Sequence, residues 1–196
     1  MGNVPRWWAI GNSAGTPVTR EEWLESVGAK TAKLLGPAVP PLYVSVGFPK
    51  GSRGKHKAIG QCWAGEQSAD KRPHIFVSPE LADPVQVAAV LLHEQVHAAV
   101  GCKVGHKGAF VATAKAAGLC KPWTATTPNP ELSAKLERIT ASCGPYPHAM
   151  LSVSDRVKPG SRLRLWQCEC PVKVRVASNS FEATCNLCGT AFKQCR

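Results

Sequence analysis

Residues 93–106 hold three of the six histidines of this chain. His93 and His97 are four residues apart in an apolar stretch, and Glu94 directly follows the first of them. On a helix, residues at this spacing share a face, so two imidazoles can bind one metal ion. A catalytic zinc takes three protein ligands and leaves one position for a water, whose proton a nearby Glu accepts. The stretch therefore predicts a zinc centre that hydrolyses amide bonds, with Glu94 as general base. The simpler alternative is a pair of structural histidines with an incidental Glu.

The third metal ligand has several candidates. An extended motif with a third histidine six residues after the second is excluded, because Lys103 occupies that position. His106 is the nearest histidine, and it follows the glycine at position 101 that would end the helix. A turn there would bring His106 back to the metal. The alternative ligands are His148, Glu131 and Glu137.

The cysteines supply a second candidate metal site. Four of the nine form two close pairs, Cys168 with Cys170 and Cys185 with Cys188, separated by 14 residues. Two thiolate pairs at this separation are typical of a four-cysteine zinc ribbon. The first pair has one intervening residue instead of the usual two, so Cys195 could replace one of its members. A β-rich segment of this size has too little core to fold alone, so we expect the zinc to be structural.

The elements around the histidines can be predicted from capping and periodicity. Asp83 and Pro84 are typical of a helix start and Gly101 of a helix end, so we predict a helix over 84–100. This helix is apolar on nearly all faces, which indicates that it is buried and that the histidines lie at the floor of a cleft. Helices are also predicted over 20–35, 106–119 and 130–142, and strands over 42–48, 58–65 and 74–79.

The charge balance favours a polyanionic partner. The net charge is +11, and residues 151–196 carry 8 Lys and Arg against 3 Asp and Glu. Basic clusters at 50–57 and 156–164 suit nucleic acid, although a charged surface that maintains solubility would have the same composition. Trp166 and Phe181 are candidates to stack on bases. We expect binding to single-stranded or distorted DNA through the ribbon and loop 50–57. Four cations alternate along the predicted ribbon strands, which would place several on one face: Arg162, Arg164, Lys173 and Arg175.

The chain shows no apolar run of the roughly eighteen residues that a membrane span needs. Its N-terminal residues do not have the pattern of a secretory signal. We therefore expect a cytoplasmic protein with no membrane partner, associated with the nucleoid when it is bound to DNA.

Three segments together resemble the SprT-like metalloproteases, a family that includes proteases of DNA-crosslinked proteins. They are LLHEQVHAAV (91–100), GHKGAF (105–110) and the cysteine ribbon. In that family a His-Gly-x-x-Phe element supplies the third zinc ligand, so the resemblance implies His106, with Lys107 in place of the glycine. It also implies an α+β fold, with a zincin-like metalloprotease domain over 1–150, a linker over 151–161 and a zinc ribbon over 162–196.

We therefore expect a monomeric zinc-dependent endopeptidase that acts on DNA-associated or DNA-crosslinked proteins. It would hold two zinc ions, one catalytic and one structural. Tyr146 or His148, in the proline-flanked segment GPYPHAM, is predicted to stabilise the oxyanion. One alternative is a general metallopeptidase with no nucleic-acid role. The other is a non-catalytic DNA- or transcription-associated zinc protein, against which the presence of Glu94 argues.

Overall fold

The described residues have a mixed α/β architecture of four α-helices and small β-sheets. A computed structural model describes residues 19–35, 39–50, 58–152 and 162–195. Contacts divide the chain into two compact units, Met1–Val153 and Ser154–Arg196. Most of the predicted linker (151–161) and of the predicted basic loop (50–57) falls outside the described residues.

The first unit contains all four helices and two of the sheets. Its helices are α1 (Arg20–Ala32), α2 (Pro84–Val100), α3 (Ala109–Ala116) and α4 (Pro130–Ala141). Its strands are β1 (Tyr43–Val46), β2 (Gly60–Trp63), β3 (His74–Val77), β4 (Leu119–Cys120) and β5 (Thr127–Pro128).

Helix α2 is the central element of this unit, and its predicted bounds are confirmed. Asp83 is the N-cap, and its side chain accepts a hydrogen bond from the backbone N–H of Gln86. Gly101 ends the helix with φ 90°, a conformation that suits a residue without a Cβ. The helix packs against α1, α3, α4 and the sheet. Its apolar side chains are buried on several sides, which confirms the prediction from its composition.

A three-stranded sheet covers one side of α2. The strand order is β1-β3-β2, with β1 parallel and β2 antiparallel to β3. Ile75 and Val77 of β3 are fully buried, because alternate residues of a strand share a face. Because β2 is the last strand in this order, its outer side is an edge of the sheet among the described residues.

A buried polar contact fixes α2 against α1. The Thr31 hydroxyl donates to Gln95 Oε1 at 2.8 Å, and Gln95 Nε2 donates to the Gly28 carbonyl at 2.8 Å. Both side chains are almost fully buried, so each polar atom needs such a partner. Gln95 lies between Glu94 and the second histidine, and this contact therefore sets the rotation of α2 about its axis.

Helix α1 and strands β1, β2 and β3 are shorter than predicted, and two further segments differ in more than their length. The helix predicted over 106–119 begins at Ala109, because Gly105 and Gly108 have φ of 61° and 45° and interrupt the helical backbone. The segment 120–130, for which the sequence predicted neither a helix nor a strand, contributes to the short antiparallel pair β4–β5. His106 therefore lies in a turn and not on a helix.

The second unit is a small sheet. It contains β6 (Arg164–Gln167), β7 (Lys173–Val176) and β8 (Lys193–Gln194), in the order β7-β6-β8. Among its described residues, only Trp166, Cys168 and Cys185 are buried. Across the described ranges of both units, none of the helices combines the length and apolar character that crossing a bilayer requires.

Candidate metal centres

The three histidines converge at the surface of α2. Nε2 of His106 lies 3.2 Å from Nε2 of His93 and 3.2 Å from Nε2 of His97. The three ligand atoms all lie within 4.8 Å of one another. Helical spacing brings His93 and His97 to one face, and the turn after α2 brings His106 to the same point.

These distances fit a tetrahedral ion with three imidazole ligands. A zinc–nitrogen bond of about 2.0–2.1 Å places the nitrogens of a tetrahedral site about 3.3–3.4 Å apart. The two observed separations of 3.2 Å agree with that spacing. Three neutral imidazoles suit zinc and other divalent transition metals, so the donor set alone leaves the identity of the metal to be measured.

Burial keeps the imidazoles in the form that binds a metal. It lowers the pKa of His93 to about 3 and that of His97 to about 4, and the neighbouring histidines act in the same direction. Burial also lowers the pKa of His106. All three rings pack around Phe110, with ring centroids 4.4–5.0 Å apart. At neutral pH the rings are therefore neutral and have lone pairs available to a cation.

Thr126 orients the first ligand. Its hydroxyl oxygen lies 2.8 Å from Nδ1 of His93. When Nδ1–H donates to this oxygen, Nε2 carries the lone pair that faces the other two histidines. Metal-bound histidines usually have such a partner on the other ring nitrogen. Thr126 is 33 residues from His93 in sequence, and no local spacing pattern identifies it.

The backbone of Gly105 directs His106 toward α2. It has φ 61° and ψ −147°, a region that is populated almost only by glycine. A Cβ at this position would meet no atom within 4 Å, so the requirement for glycine comes from the backbone conformation and not from crowding. The turn between α2 and α3 thus depends on a glycine directly before the third histidine.

The side chain of Glu94 extends from α2 toward the edge strand β2. The backbone N–H of Cys62 donates a hydrogen bond to its carboxylate. Burial raises the pKa of Glu94 to about 8, the nearby Cys102 acts in the same direction, and the Cys62 hydrogen bond opposes them. A divalent cation at the histidines would favour the ionised carboxylate.

Gly60 allows this close approach. A Cβ built on Gly60 would lie 2.5 Å from Glu94 Oε1 and 2.6 Å from Val90 Cγ1, so any larger residue must displace one of them. Sequence patterns predicted the strand that contains Gly60 but gave no reason for a glycine at this position.

The histidines and Glu94 open onto one cavity of about 730 Å³. Strand β2 with Ile59 forms part of its wall, α2 forms its floor, and residues 124–128 form part of the opposite rim. Lys50, Gln61 and Thr126 contribute polar side chains to the lining. The histidines and Glu94 therefore line a cavity of the first unit and are not enclosed in its apolar core.

Tyr146 and His148 lie elsewhere, and neither lines this cavity. Tyr146 packs on Trp23 with ring centroids 4.6 Å apart. His148 lies with Nε2 2.9 Å from the Pro79 carbonyl oxygen and Nδ1 3.4 Å from Arg20 Nη1. Both ring nitrogens of His148 therefore have protein partners. The structure does not bring either residue to the histidines, where an oxyanion stabiliser or a third ligand would be needed.

The carboxylates that sequence reasoning left as alternative ligands are also outside the group. Glu131 is exposed and pairs with Lys135 at 2.7 Å on α4. Glu137 is exposed on the same helix. Neither belongs to a group of potential ligands among the described residues, whereas His106 does.

The four predicted ribbon cysteines also form a group that could hold a metal. Their Sγ atoms all lie within 4.8 Å of one another. Sγ of Cys170 lies 3.1 Å from Sγ of Cys168 and 3.7 Å from Sγ of Cys185. A tetrahedral zinc with bonds of about 2.3 Å to sulfur separates its sulfur ligands by about 3.8 Å. The 3.7 Å separation agrees with this value, and the 3.1 Å separation is shorter. Cys195 is outside the group, with its Sγ 3.9 Å from Gln167 Oε1.

Backbone amides favour thiolates at the second cysteine pair. The N–H groups of Cys188 and Leu187 lower the pKa of Cys185. The Thr190 side chain and backbone lower that of Cys188 to about 6. Gly189 adopts φ 69° in this turn, as expected for a glycine after the second cysteine. The turn is therefore arranged to stabilise negative sulfur, the form that binds a metal.

The strand register divides the predicted ribbon cations between two faces. Lys173 lies opposite Gln167, which in turn lies opposite Lys193, so these residues share a face. Arg175 lies opposite Leu165 on the same face. Three exposed cations therefore share this face: Lys173, Arg175 and Lys193.

The other face contains Arg164 and Trp166. The Arg164 guanidinium donates to the Arg162 and Ala177 carbonyls. Trp166 is buried against Phe181, so its ring is not exposed for stacking on a base. The basic surface of the ribbon thus includes Lys193, which sequence reasoning missed, and excludes Trp166, which it had included.

No family model matches the chain, and no curated protein or solved structure matches it.

Proposed function

We propose that this chain is a zinc-dependent endopeptidase with a zincin-like domain. The convergence of the three imidazole nitrogens beside Glu94, at the floor of an open cavity, carries the proposal. A purely structural zinc site has its coordination positions filled by protein and needs no neighbouring carboxylate. Three ligands, an adjacent carboxylate and an accessible cleft are what a hydrolytic site requires.

In this proposal His93, His97 and His106 hold the metal and Thr126 fixes the orientation of His93. When bound, zinc supplies Lewis acidity toward the scissile carbonyl and lowers the pKa of water. Glu94 accepts a proton from the attacking water and delivers it to the leaving amine. The Cys62 N–H keeps the carboxylate in place, and Gly60 provides the space for it.

The cleft favours an extended polypeptide as substrate. Strand β2 lines the cavity and lies at an edge of the sheet. The N–H and carbonyl of Cys62 already contact Glu94 and Cys102, so a second strand would pair with the β2 backbone around Gly60. An extended peptide can add to such an edge through main-chain hydrogen bonds, which gives binding with little sequence preference. This arrangement supports an endopeptidase with broad specificity.

The ribbon supports a role near DNA. Lys173, Arg175 and Lys193 form one exposed basic face on a sheet that the four-cysteine group would stabilise. Such a face binds phosphates without reading sequence, and its affinity falls steeply with salt. We propose that it holds single-stranded or distorted DNA and so brings DNA-associated proteins to the cleft.

The deciding experiment is a protease assay on the zinc-loaded full chain, with and without single-stranded DNA, using denatured casein and a DNA-binding protein as substrates. Glu94→Gln is expected to reduce turnover by about 10²–10⁴-fold, because it removes the general base. It should retain both zinc ions, since Glu94 is not in the ligand group.

The outcomes distinguish the possible functions. Cleavage that depends on Glu94 and increases with DNA supports the whole proposal. Glu94-dependent cleavage that DNA does not affect indicates a general metallopeptidase. Identical, negligible activity in the wild type and Glu94→Gln, with zinc bound, would show that the histidine centre is not catalytic.

A further inference from the structure

Two cysteines whose thiols have no role in the proposed chemistry line the same cavity. Cys62 lies on β2, and Cys102 lies in the short turn that follows α2. The Cys102 thiol donates to the Cys62 carbonyl oxygen at 3.6 Å, and each thiol shifts the pKa of the other. Among the described residues, neither belongs to a group that could hold a metal. They are two neighbouring free thiols in the lining of the cavity.

The interaction between the two thiols makes them chemically unequal. It raises the pKa of Cys62 above that of an ordinary thiol, and burial adds to this effect. It lowers the pKa of Cys102 to about 7, although burial opposes it. Since a thiolate is the nucleophile in disulfide exchange, Cys102 is suited to attack and Cys62 to resolve the product.

We propose that Cys62 and Cys102 form a redox-sensitive modification site, at which a small disulfide such as oxidised glutathione converts the two thiols into an intramolecular disulfide. The Cys102 thiolate attacks one glutathione sulfur, the glutathione disulfide bond breaks, and one glutathione thiolate leaves. Cys62 then gives up its proton, attacks the Cys102 sulfur and expels the second glutathione thiolate. Two protein thiols are oxidised, one glutathione disulfide is reduced, and the two protons from the protein go to the two leaving thiolates.

The new bond would join two parts of the cleft wall. Cys62 belongs to the edge strand, and Cys102 lies four residues before His106. A covalent link between them restricts how far β2 can move from the turn that positions the third histidine. The site therefore connects the redox state of the surroundings to the width of the cleft, whatever reaction the cleft performs.

The test treats the zinc-loaded full chain with oxidised glutathione, alkylates the remaining thiols and maps the peptides without reduction. Wild-type protein is expected to lose two hydrogen atoms at a Cys62–Cys102 linkage and to retain no glutathione there. Dithiothreitol should restore both thiols completely. Cys120, an exposed free thiol, reports in the same sample whether the reagent reacted.

Two variants separate the attacking and resolving roles. Cys62→Ser should accumulate a stable glutathione adduct at Cys102, because the resolving thiol is missing. Cys102→Ser should leave Cys62 unmodified. The proposal is overturned if Cys120 is glutathionylated while Cys62 and Cys102 of the wild type both remain open to alkylation. It is equally overturned if wild-type Cys102 keeps its glutathione or pairs with another cysteine. The wild-type peptide map distinguishes these outcomes even if a variant fails to fold.

Discussion

The two candidate metal centres differ in what holds their ligands in place. The histidine centre rests on α2, a helix that is packed on several sides by an apolar core. The cysteine centre joins turns of a small sheet whose buried side chains, among the described residues, are two of the ligands and Trp166. In the first unit the apolar core positions the candidate ligands without a metal, whereas in the second a bound metal would take the place of a core. We therefore expect removal of the metal to cost activity in one unit and folding in the other.

Loss of the cysteine centre should have the largest effect on folding among the substitutions considered. Cys185→Ser is expected to remove one of two zinc ions and to unfold residues 162–195, because a structural zinc contributes about 10–16 kcal/mol to such a domain. Metal analysis and the dispersion of backbone amide NMR signals measure the two effects. The first unit should keep its zinc and its helices. A ribbon that stays folded after losing its zinc would remove the contrast between the two centres.

His97→Ala tests the histidine centre of the first unit. It should abolish the histidine zinc site and proteolysis while leaving the first unit folded, because the apolar side chains that pack around α2 all remain. Zinc content and far-UV circular dichroism are the measurements. His148→Ala is the matched control, since both nitrogens of His148 already have protein partners, and it should retain both ions. Zinc loss in this control would contradict the assignment of His106 as third ligand.

Thr126→Val tests whether the protein orients the His93 ring before a metal binds. The substitution removes the hydroxyl beside His93 Nδ1 and should weaken zinc binding about 10–100-fold. Competition with a chromogenic chelator measures this affinity. Thr124→Val, in the same rim of the cavity, is the matched control and should change the affinity little. Equal affinities for the two variants would mean that Thr126 does not orient the ligand.

Thr31→Val should have the smallest effect and should act on stability alone. It leaves Gln95 Oε1 buried without its partner and should lower the free energy of unfolding of the first unit by about 1–2 kcal/mol. Urea denaturation monitored by tryptophan fluorescence measures this change. Thr140→Val is a suitable comparison, because its hydroxyl bonds only to the carbonyl of Glu137 on its own helix. If the control loses as much stability as Thr31→Val, the contact between α1 and α2 is not the cause.

Local sequence was sufficient to predict those features whose residues all lie in one helix or one turn. The bounds of α2 follow from Asp83 and Gly101, and the helical period alone places His93 and His97 on one face. The turn after Cys188 likewise follows from the glycine beside it. These features depend on backbone geometry within a few residues, so no knowledge of the remaining chain is needed.

Contacts between distant segments were decided only by the tertiary structure. The choice of His106 over His148 depended on the path of a turn through Gly105 and on partners that occupy both nitrogens of His148. The space for Glu94 beside Gly60 and the contact between Cys62 and Cys102 depend on how β2 packs against α2. The division of the ribbon cations between two faces needed the strand register, because a shift of one residue reverses every side chain. Spacing within one element is set by its own periodicity, but which elements meet is set by the packing of the whole core.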